Sequence, residues 1–546
     1  MTPALPEPLV AAARALTATT LADLFERDPD RNRALSLAWG DWRVDLSRER
    51  LTGEVLASLA GYARECGLDR WIEALFAGER VNVSDARPVL HPALRAPGGP
   101  PLPGEAAGAR ESLRASRERT ADWARRIHTG EARGATGALI RHVLHLGIGG
   151  SDLGPRLVVE ALRRPGANGP AAAFVANVDP AALDRALATL EPAATLVVIA
   201  SKSFGTQETI ENARAAIAWL ASAMPGARPL EHQVLAATAR PDLARAFGVP
   251  DAAILPMHEG VGGRFSLWSS VGVTIGAALG AQTHARLFEG AHAMDVHFRE
   301  APFESNLPVA LALVGLWNAS ALGYRQRVVV PYAEALGLLP AYLQQLSLES
   351  NGKRVTRDGD PVPGRTAPAL WGGVGTDGQH AFFQWLHQGT DTVPVEFIVP
   401  ALPAGGGGRD RHALLVANAL AQAQALSFGR SASSLETELA AQGLRGAALS
   451  RAIAIRACPG DRPSTTVLVP RLDATTLGAL LALYEHRNFV EGILWGVNPF
   501  DQFGVELGKI LAAPIAGTLI AGAALPSTVD RSTAALAAHV TALMRR

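Results

Sequence analysis

The sequence predicts an α/β protein in which two doubly wound parallel sheets with flanking helices are followed by a C-terminal helical arm. Three observations carry that expectation. Short apolar runs that end in glycine- or serine-rich loops alternate with segments of helical periodicity, which is how buried parallel strands and their crossover helices read. The alternation occurs in two blocks, one over residues 116–284 and a second after residue 285. Residues 511–546 then form an alanine-rich tail with a terminal helix.

Residues 1–80 read as helices with polar connectors, since residues 21–25 and 51–62 carry apolar side chains at helical spacing. Proline and glycine mark residues 96–104 as a linker, and 105–127 follow as a helix. In the first block, strands are expected at 142–146, 172–176 and 196–200, with 233–236 and 253–255 closing the sheet. Helices are expected to 162, over 180–190, and from 207 through Ala213, Ile217 and Leu220. In the second block, helices at 307–322, 340–350, 379–387 and 410–426 alternate with strands at 327–332, near Leu370, at 395–399 and at 467–469. The expected domains are 116–284, 1–115 with 285–510, and the arm 511–546.

The 51 basic and 51 acidic residues balance, so no global field recruits nucleic acid or a membrane surface, and an anionic ligand must be met by local cations. Cys66 and Cys458 are too few for a disulfide framework and lack metal-ligand spacing, which suits a reducing cytoplasmic setting. The N-terminus lacks the basic segment and apolar core of a signal peptide. The longest uncharged run, 510–529, is interrupted by Pro514 and Pro526 and is expected to be too weak for a membrane span.

Of the 51 basic residues only Lys202, Lys353 and Lys509 are lysines. In a chain that uses arginine wherever any cation serves, these positions are the first places to look for chemistry that needs a compact, rotatable ammonium. Lys202 lies in Ser201-Lys202-Ser203-Phe204-Gly205-Thr206, between an apolar strand and a helix start. Backbone N–H groups, the helix dipole, three hydroxyls and one ammonium make this a seat for a phosphate dianion. An ordinary strand-to-helix turn with a Ser cap is the competing reading.

Gly147 to Pro155 invites a dinucleotide-binding reading, but Asp152 stands where that fingerprint needs glycine. A tight turn that lets Gly150 and Ser151 approach a sugar phosphate fits better. Gly262-Gly263-Arg264 offers an arginine to an oxyanion ahead of an expected helix through Leu267 and Val271. Glu349 falls in the last turn of its helix with Gln345 one turn back, a position for a general base, against a plain Glu349–Lys353 surface pair. Residues 375–380 present His380 at a helix start, where a neutral imidazole suits a proton carrier, and the spacing to His387 does not fit a metal. Residues 499–509 read as a helix with Gln502, Glu506 and Lys509 on one face.

The segments VLHPALR, GIGGSDLGP, SKSFGTQET, GGRFSLWS, LESNGK, GTDGQHAFFQWLHQGT and FDQFGVELGK occur in this order between residues 81 and 511, and together they resemble the phosphoglucose isomerase family. Ser203 and Gly205 stand where that family usually has threonines, Asp377 where it has Asn, and Phe503 where it has Trp. The resemblance implies two sugar-isomerase (SIS-like) domains and a metal-free, cofactor-free interconversion of glucose 6-phosphate and fructose 6-phosphate. It also implies a homodimer with shared active sites. Carried onto this chain, Ser201, Lys202, Ser203 and Thr206 hold the phosphate, with Gly150 and Ser151 beside it and Gln345 and Gln502 on the sugar. His380 from the neighbouring subunit and Lys509 open the ring, Glu349 moves the proton between C2 and C1, and Arg264 stabilises the enediolate. A non-catalytic sugar-phosphate sensor and a nicotinamide-dependent dehydrogenase are the other classes; the joint presence of Glu349, His380 and Lys509 disfavours the first and the broken glycine fingerprint the second.

Overall fold

Among the residues described by the computed structural model (5–96, 98, 102–103, 106–405 and 408–545), eleven strands form two sheets. Strands β1 (Ser36–Trp39) and β2 (Trp42–Asp45) make a hairpin. Next come β3 (His142–Leu146), β4 (Ala171–Val175), β5 (Thr195–Ala200), β6 (Val234–Thr238) and β7 (Ile254–Pro256). The remaining strands are β8 (Gln326–Pro331), β9 (Ala369–Gly372), β10 (Val395–Leu402) and β11 (Ser464–Arg471).

The first sheet is wholly parallel with order β4-β3-β5-β6-β7. All six residues of β5 are buried, so both its faces are covered. Ala124 and Ile127 of the helix Ala109–His128, Ala213, Ala216 and Leu220 of the helix Gln207–Ala223, and Val273 and Ala277 of the helix Val273–Leu279 supply that cover. Strand order reverses between β3 and β5, and the loops leaving such a switch point diverge to leave a crevice at the carboxyl ends.

The second sheet has order β1-β2-β11-β10-β8-β9, with β11, β10, β8 and β9 parallel. The hairpin β1–β2 pairs antiparallel to β11 and differs from the all-helical reading of residues 1–80. Its four-residue strands, joined at Gly40 with φ +54°, are too short to show a period. The expected helix over 307–322 is α-helical over Leu307–Leu316 and closes in a π-turn, Trp317–Ala321. Two helices, Ala432–Ala441 and Gly446–Arg456, were not expected. Most of the linker 96–104, and residue 105, lie outside the described residues.

Beside the second sheet runs the helix Ala474–Leu494, buried on all faces except at Thr475. It packs on the helix Ala281–Glu300 at backbone contact: a Cβ on Gly478 would stand 1.9 Å from the Leu287 carbonyl oxygen, and one on Gly290 would stand 1.8 Å from that of Thr475. This central helix also carries buried charge. Arg95 pairs with Asp295 at 2.5 and 2.9 Å and with Glu485, and His486 meets Asp295 at 2.7 Å. Further along, Arg487 pairs with Glu396 and with Glu491, which also takes Arg327 at 2.8 Å.

The chain divides into two compact units, 1–499 and 500–546. In the second, Gln502 precedes a 3-10 turn, Phe503–Val505, so it lies outside the helix expected to carry it. The helix Glu506–Ala521 holds Lys509 in its first turn and accommodates Pro514, and Asp530 caps the helix Arg531–Met544 at 2.9 Å. Among the described residues, one helix, Phe503–Ala521, meets the length and hydropathy of a membrane span, with a mean hydropathy of 1.5. It joins the 3-10 turn Phe503–Val505 to the helix Glu506–Ala521 and overlaps the run 510–529 only up to Ala521.

Candidate active site

Leu146 of β3 pairs with Ile199 of β5, so the loops after these strands leave the sheet side by side, about 4.8 Å apart in the pairing direction. After β5, Ser201 remains buried and extends the ladder to Ala237 O at 3.0 Å. Phe204 then turns at φ +48°, a left-handed conformation costly for a bulky residue. Its ring is buried edge-on against Phe247 at 5.7 Å, which fixes the loop by its one apolar member. Thr206 is the cap position of the helix Gln207–Ala223, and its side chain does not close the first turn. It accepts instead from Ser201 Oγ at 3.2 Å, so the two hydroxyls and the helix N–H groups meet in one place.

Lys202 Nζ donates to the Glu259 carbonyl oxygen at 2.7 Å. Partial burial and the nearby charge of Arg87 hold its ammonium below its ordinary value, against the pull of Glu259 and Asp85. Ser203 is exposed, with Oγ 3.4 Å from the Gly205 N–H.

After β3, the turn Gly149–Ser151 lies directly against residues 263–264: a Cβ on Gly150 would stand 2.1 Å from the Gly263 carbonyl oxygen. Gly149 has φ +59°, and a Cβ there would reach within 2.8 Å of Gln345 Nε2. Gly150 is therefore required by the close approach of backbone, and Gly149 by its left-handed conformation. His145 of β3 donates through Nε2 to the Ser151 carbonyl oxygen at 2.7 Å, and its Nδ1 accepts from Thr274 Oγ1 at 2.9 Å. Burial pushes this imidazole down to about 4, so it is a neutral strut beneath the turn.

Arg264 sits in a 3-10 segment, Gly263–Trp268, and not ahead of a continuous helix; the α-helix starts only at Val273. Its guanidinium is buried, with Nε donating to Ser350 Oγ at 2.5 Å and Nη2 to the Pro499 carbonyl oxygen at 2.6 Å. Nη1 stands 3.5 Å from Glu349 Oε1. Glu349 lies in the last turn of the helix Leu339–Asn351, and its Oε2 accepts from Gln345 Nε2 at 2.8 Å. The surface pair Glu349–Lys353 does not form. Lys353 Nζ instead donates to the Ser350 carbonyl oxygen at 2.6 Å, which the helix end leaves open, and to that of Asn498.

One group thus contains Gly150, Ser151, Arg264, Gln345 and Glu349, and Ser201, Lys202 and Thr206 stand one strand away. The loop from Glu259 to Arg264 links the two. His380 is exposed at the end of the 3-10 turn Asp377–His380, and among the described residues it makes no hydrogen bond to this group. Lys509 and Gln502 belong to the second unit. No group of three or more His, Cys, Asp or Glu side chains is arranged to hold a metal ion among the described residues. Sequence reasoning missed Ser350, Glu259 and His145. Ser350 could have been found as the neighbour of Glu349 inside LESNGK, but nothing in the sequence marks a backbone carbonyl as the partner of Lys202.

The family model for phosphoglucose isomerase matches residues 45–537. The chain belongs to the phosphoglucose isomerase family. Two relatives described as glucose-6-phosphate isomerase are 43% and 45% identical to it. The first, from Xanthobacter autotrophicus, matches over 96% of this chain and 95% of its own length. The second, from Aromatoleum aromaticum, matches over 95% and 96%. The crystal structure of a glucose-6-phosphate isomerase from Chlamydia trachomatis superimposes with a TM-score of 0.83 at 30% identity and covers 99% of both chains.

Proposed function

We propose that this chain interconverts glucose 6-phosphate and fructose 6-phosphate by ring opening and proton transfer through a cis-enediol. The observation that carries the reading is the Glu349 carboxylate 3.5 Å from the Arg264 guanidinium, against the turn after β3, whose neighbouring strand β5 ends in the Ser201–Thr206 loop. An aldose–ketose shift needs one base that returns the proton it removes, and a fixed cation where negative charge develops on oxygen.

The substrate phosphate is held by the hydroxyls of Ser201, Ser203 and Thr206, by Lys202, and by the first N–H groups of the helix Gln207–Ala223. Lys202 Nζ exchanges its carbonyl partner for a phosphate oxygen, a stronger, charge-assisted bond. The turn at Gly150 and Ser151 brings backbone against the sugar, and Gln345 orients both sugar and base. Glu349 takes the proton from C2 and delivers it to C1, while Arg264 stabilises the enediolate oxygen; a donor so placed contributes ~10²–10³ in rate.

Ring opening is assigned to Lys509 and the partner subunit's His380, and a sugar contact to Gln502. These three assignments rest on the matching signatures GTDGQHAFFQWLHQGT and FDQFGVELGK. A homodimer follows from the same assignment, and the exposure of His380 supports its being offered to a second copy. Unpaired Cys66 and Cys458 suit a cytoplasmic setting. The test is conversion of fructose 6-phosphate by the purified protein, read by a coupled glucose 6-phosphate assay in chelator. Steady product formation is expected, and a protein that binds the sugar phosphate without converting it would overturn the reading.

A further inference from the structure

Arg264 is useful to an enediolate only if its guanidinium cannot rotate away, and the Phe265 ring of its own 3-10 segment, 5.5 Å from the guanidinium carbon, offers no in-plane acceptor to set that rotation. Two of its acceptors do so. The Pro499 carbonyl oxygen takes Nη2, and Ser350 Oγ takes Nε at 2.5 Å, with Ser350 itself fully buried. With those two edges held, the plane of the guanidinium is set and Nη1 is the corner turned toward Glu349.

Ser350 directly follows Glu349 in the last turn of the helix Leu339–Asn351. Successive helix positions differ by about 100° in direction, so one side chain points to the crevice while the next points to the arginine behind it. The Ser350 carbonyl is pinned by Lys353 Nζ at 2.6 Å, and Asn351 Nδ2 donates to the Asn488 carbonyl oxygen and to Asn488 Oδ1, both at 2.9 Å. The helix end is therefore tied to the buried core, and base and brace move as one rigid piece. This also accounts for Lys353, the one lysine without a role in the reaction as proposed.

From this geometry we infer that Ser350 is a positioning residue for the isomerisation: it orients Arg264 through Nε and so sets the distance between the cation and the base. The inference rests on the functional reading above. Its value is catalytic and not one of binding, because Ser350 is buried behind Arg264 and the phosphate seat lies on another loop. Ser350→Ala is expected to lower kcat about 10- to 100-fold, the effect of one charged hydrogen bond, with KM changed less than about twofold.

The deciding experiment is a double-mutant cycle of Ser350→Ala with Arg264→Met, which keeps an apolar stem and has no Nε, with kcat, KM and thermal midpoint measured for each variant. If Ser350 acts through Arg264, Ser350→Ala costs no further kcat in the Arg264→Met background. An equal loss in both backgrounds, or a loss that merely follows the thermal midpoint, overturns the inference in favour of a packing role. So does a normal kcat for Ser350→Ala when Arg264→Met is strongly impaired. A near-normal kcat for Arg264→Met overturns the functional reading itself, which separates the two failures. If the alanine variant does not fold, Ser350→Cys, nearly isosteric with a weaker acceptor, is carried through the same cycle and read in the same way.

Discussion

Arg95 and Arg264 are both buried arginines facing carboxylates, yet the two regions use them differently. Arg95 closes on Asp295 at 2.5 and 2.9 Å and also holds Glu485, with the three side chains at most 3% exposed. Arg264 reaches Glu349 only at 3.5 Å, longer than a charged hydrogen bond, and that carboxylate is 19% exposed. Around Arg95 the guanidinium is closed on two carboxylates, and removing one partner strands the other in a medium that cannot solvate it. In the crevice, the cation is held by Ser350 Oγ and the Pro499 carbonyl oxygen, and its contact with the carboxylate is a single one at 3.5 Å, not a bidentate pair. On the function proposed above, the close pairing of Arg95 belongs to the architecture and the looser Arg264–Glu349 contact to the chemistry.

That contrast can be broken or sharpened by substitution. The largest effect is expected from Arg95→Met, which should destabilise the fold by about 3–5 kcal/mol in denaturant titration while the protein that remains folded turns over at nearly the normal rate. A selective loss of kcat there would erase the distinction between the regions. Gly150→Ala should lower turnover as well as stability. Its Cβ would stand 2.1 Å from the Gly263 carbonyl oxygen and displace the Arg264 segment, costing ~10²-fold in kcat together with a lower thermal midpoint. Lys202→Met should raise KM about tenfold, as expected for one charge-assisted contact, with a smaller effect on kcat.

The smallest effect is one of pH. Burial would raise the Asp295 carboxyl, but Arg95 and His486 outweigh it and hold the group below its ordinary value of 3.8. A depressed carboxyl contributes stability that is fully present above its unfolded value and is lost as pH falls through the folded one. The stability advantage of the wild type over Asp295→Asn should therefore be constant above that ordinary value and shrink below it. An advantage that does not change on acidification would contradict the ionised pair.

Much of this was legible in the sequence, for identifiable reasons. Buried parallel strands such as Thr195–Ala200 are continuous apolar runs, so the loop SKSFGTQET that follows could be read directly, and LESNGK was placed at a helix end by Pro340 near its start and Gly352 just past its last turn. The hairpin Ser36–Asp45 could not, because four-residue strands have no measurable period. The core charges of the helix Ala474–Leu494 were also hidden. Glu485, His486, Arg487 and Glu491 look like a solvated stripe until partners from distant segments bury them. Ser350 was missed for a related reason: its partner lies 86 residues away and the bond depends on which face of a helix end turns inward.

The most direct measurement of the central claim is the turnover of Glu349→Gln beside its affinity for a sugar phosphate. The account predicts a kcat at least ~10²-fold below wild type, the low end for a general base, with sugar-phosphate affinity and thermal midpoint unchanged. Turnover within a few-fold of wild type, in a protein that still binds the sugar phosphate, would contradict it.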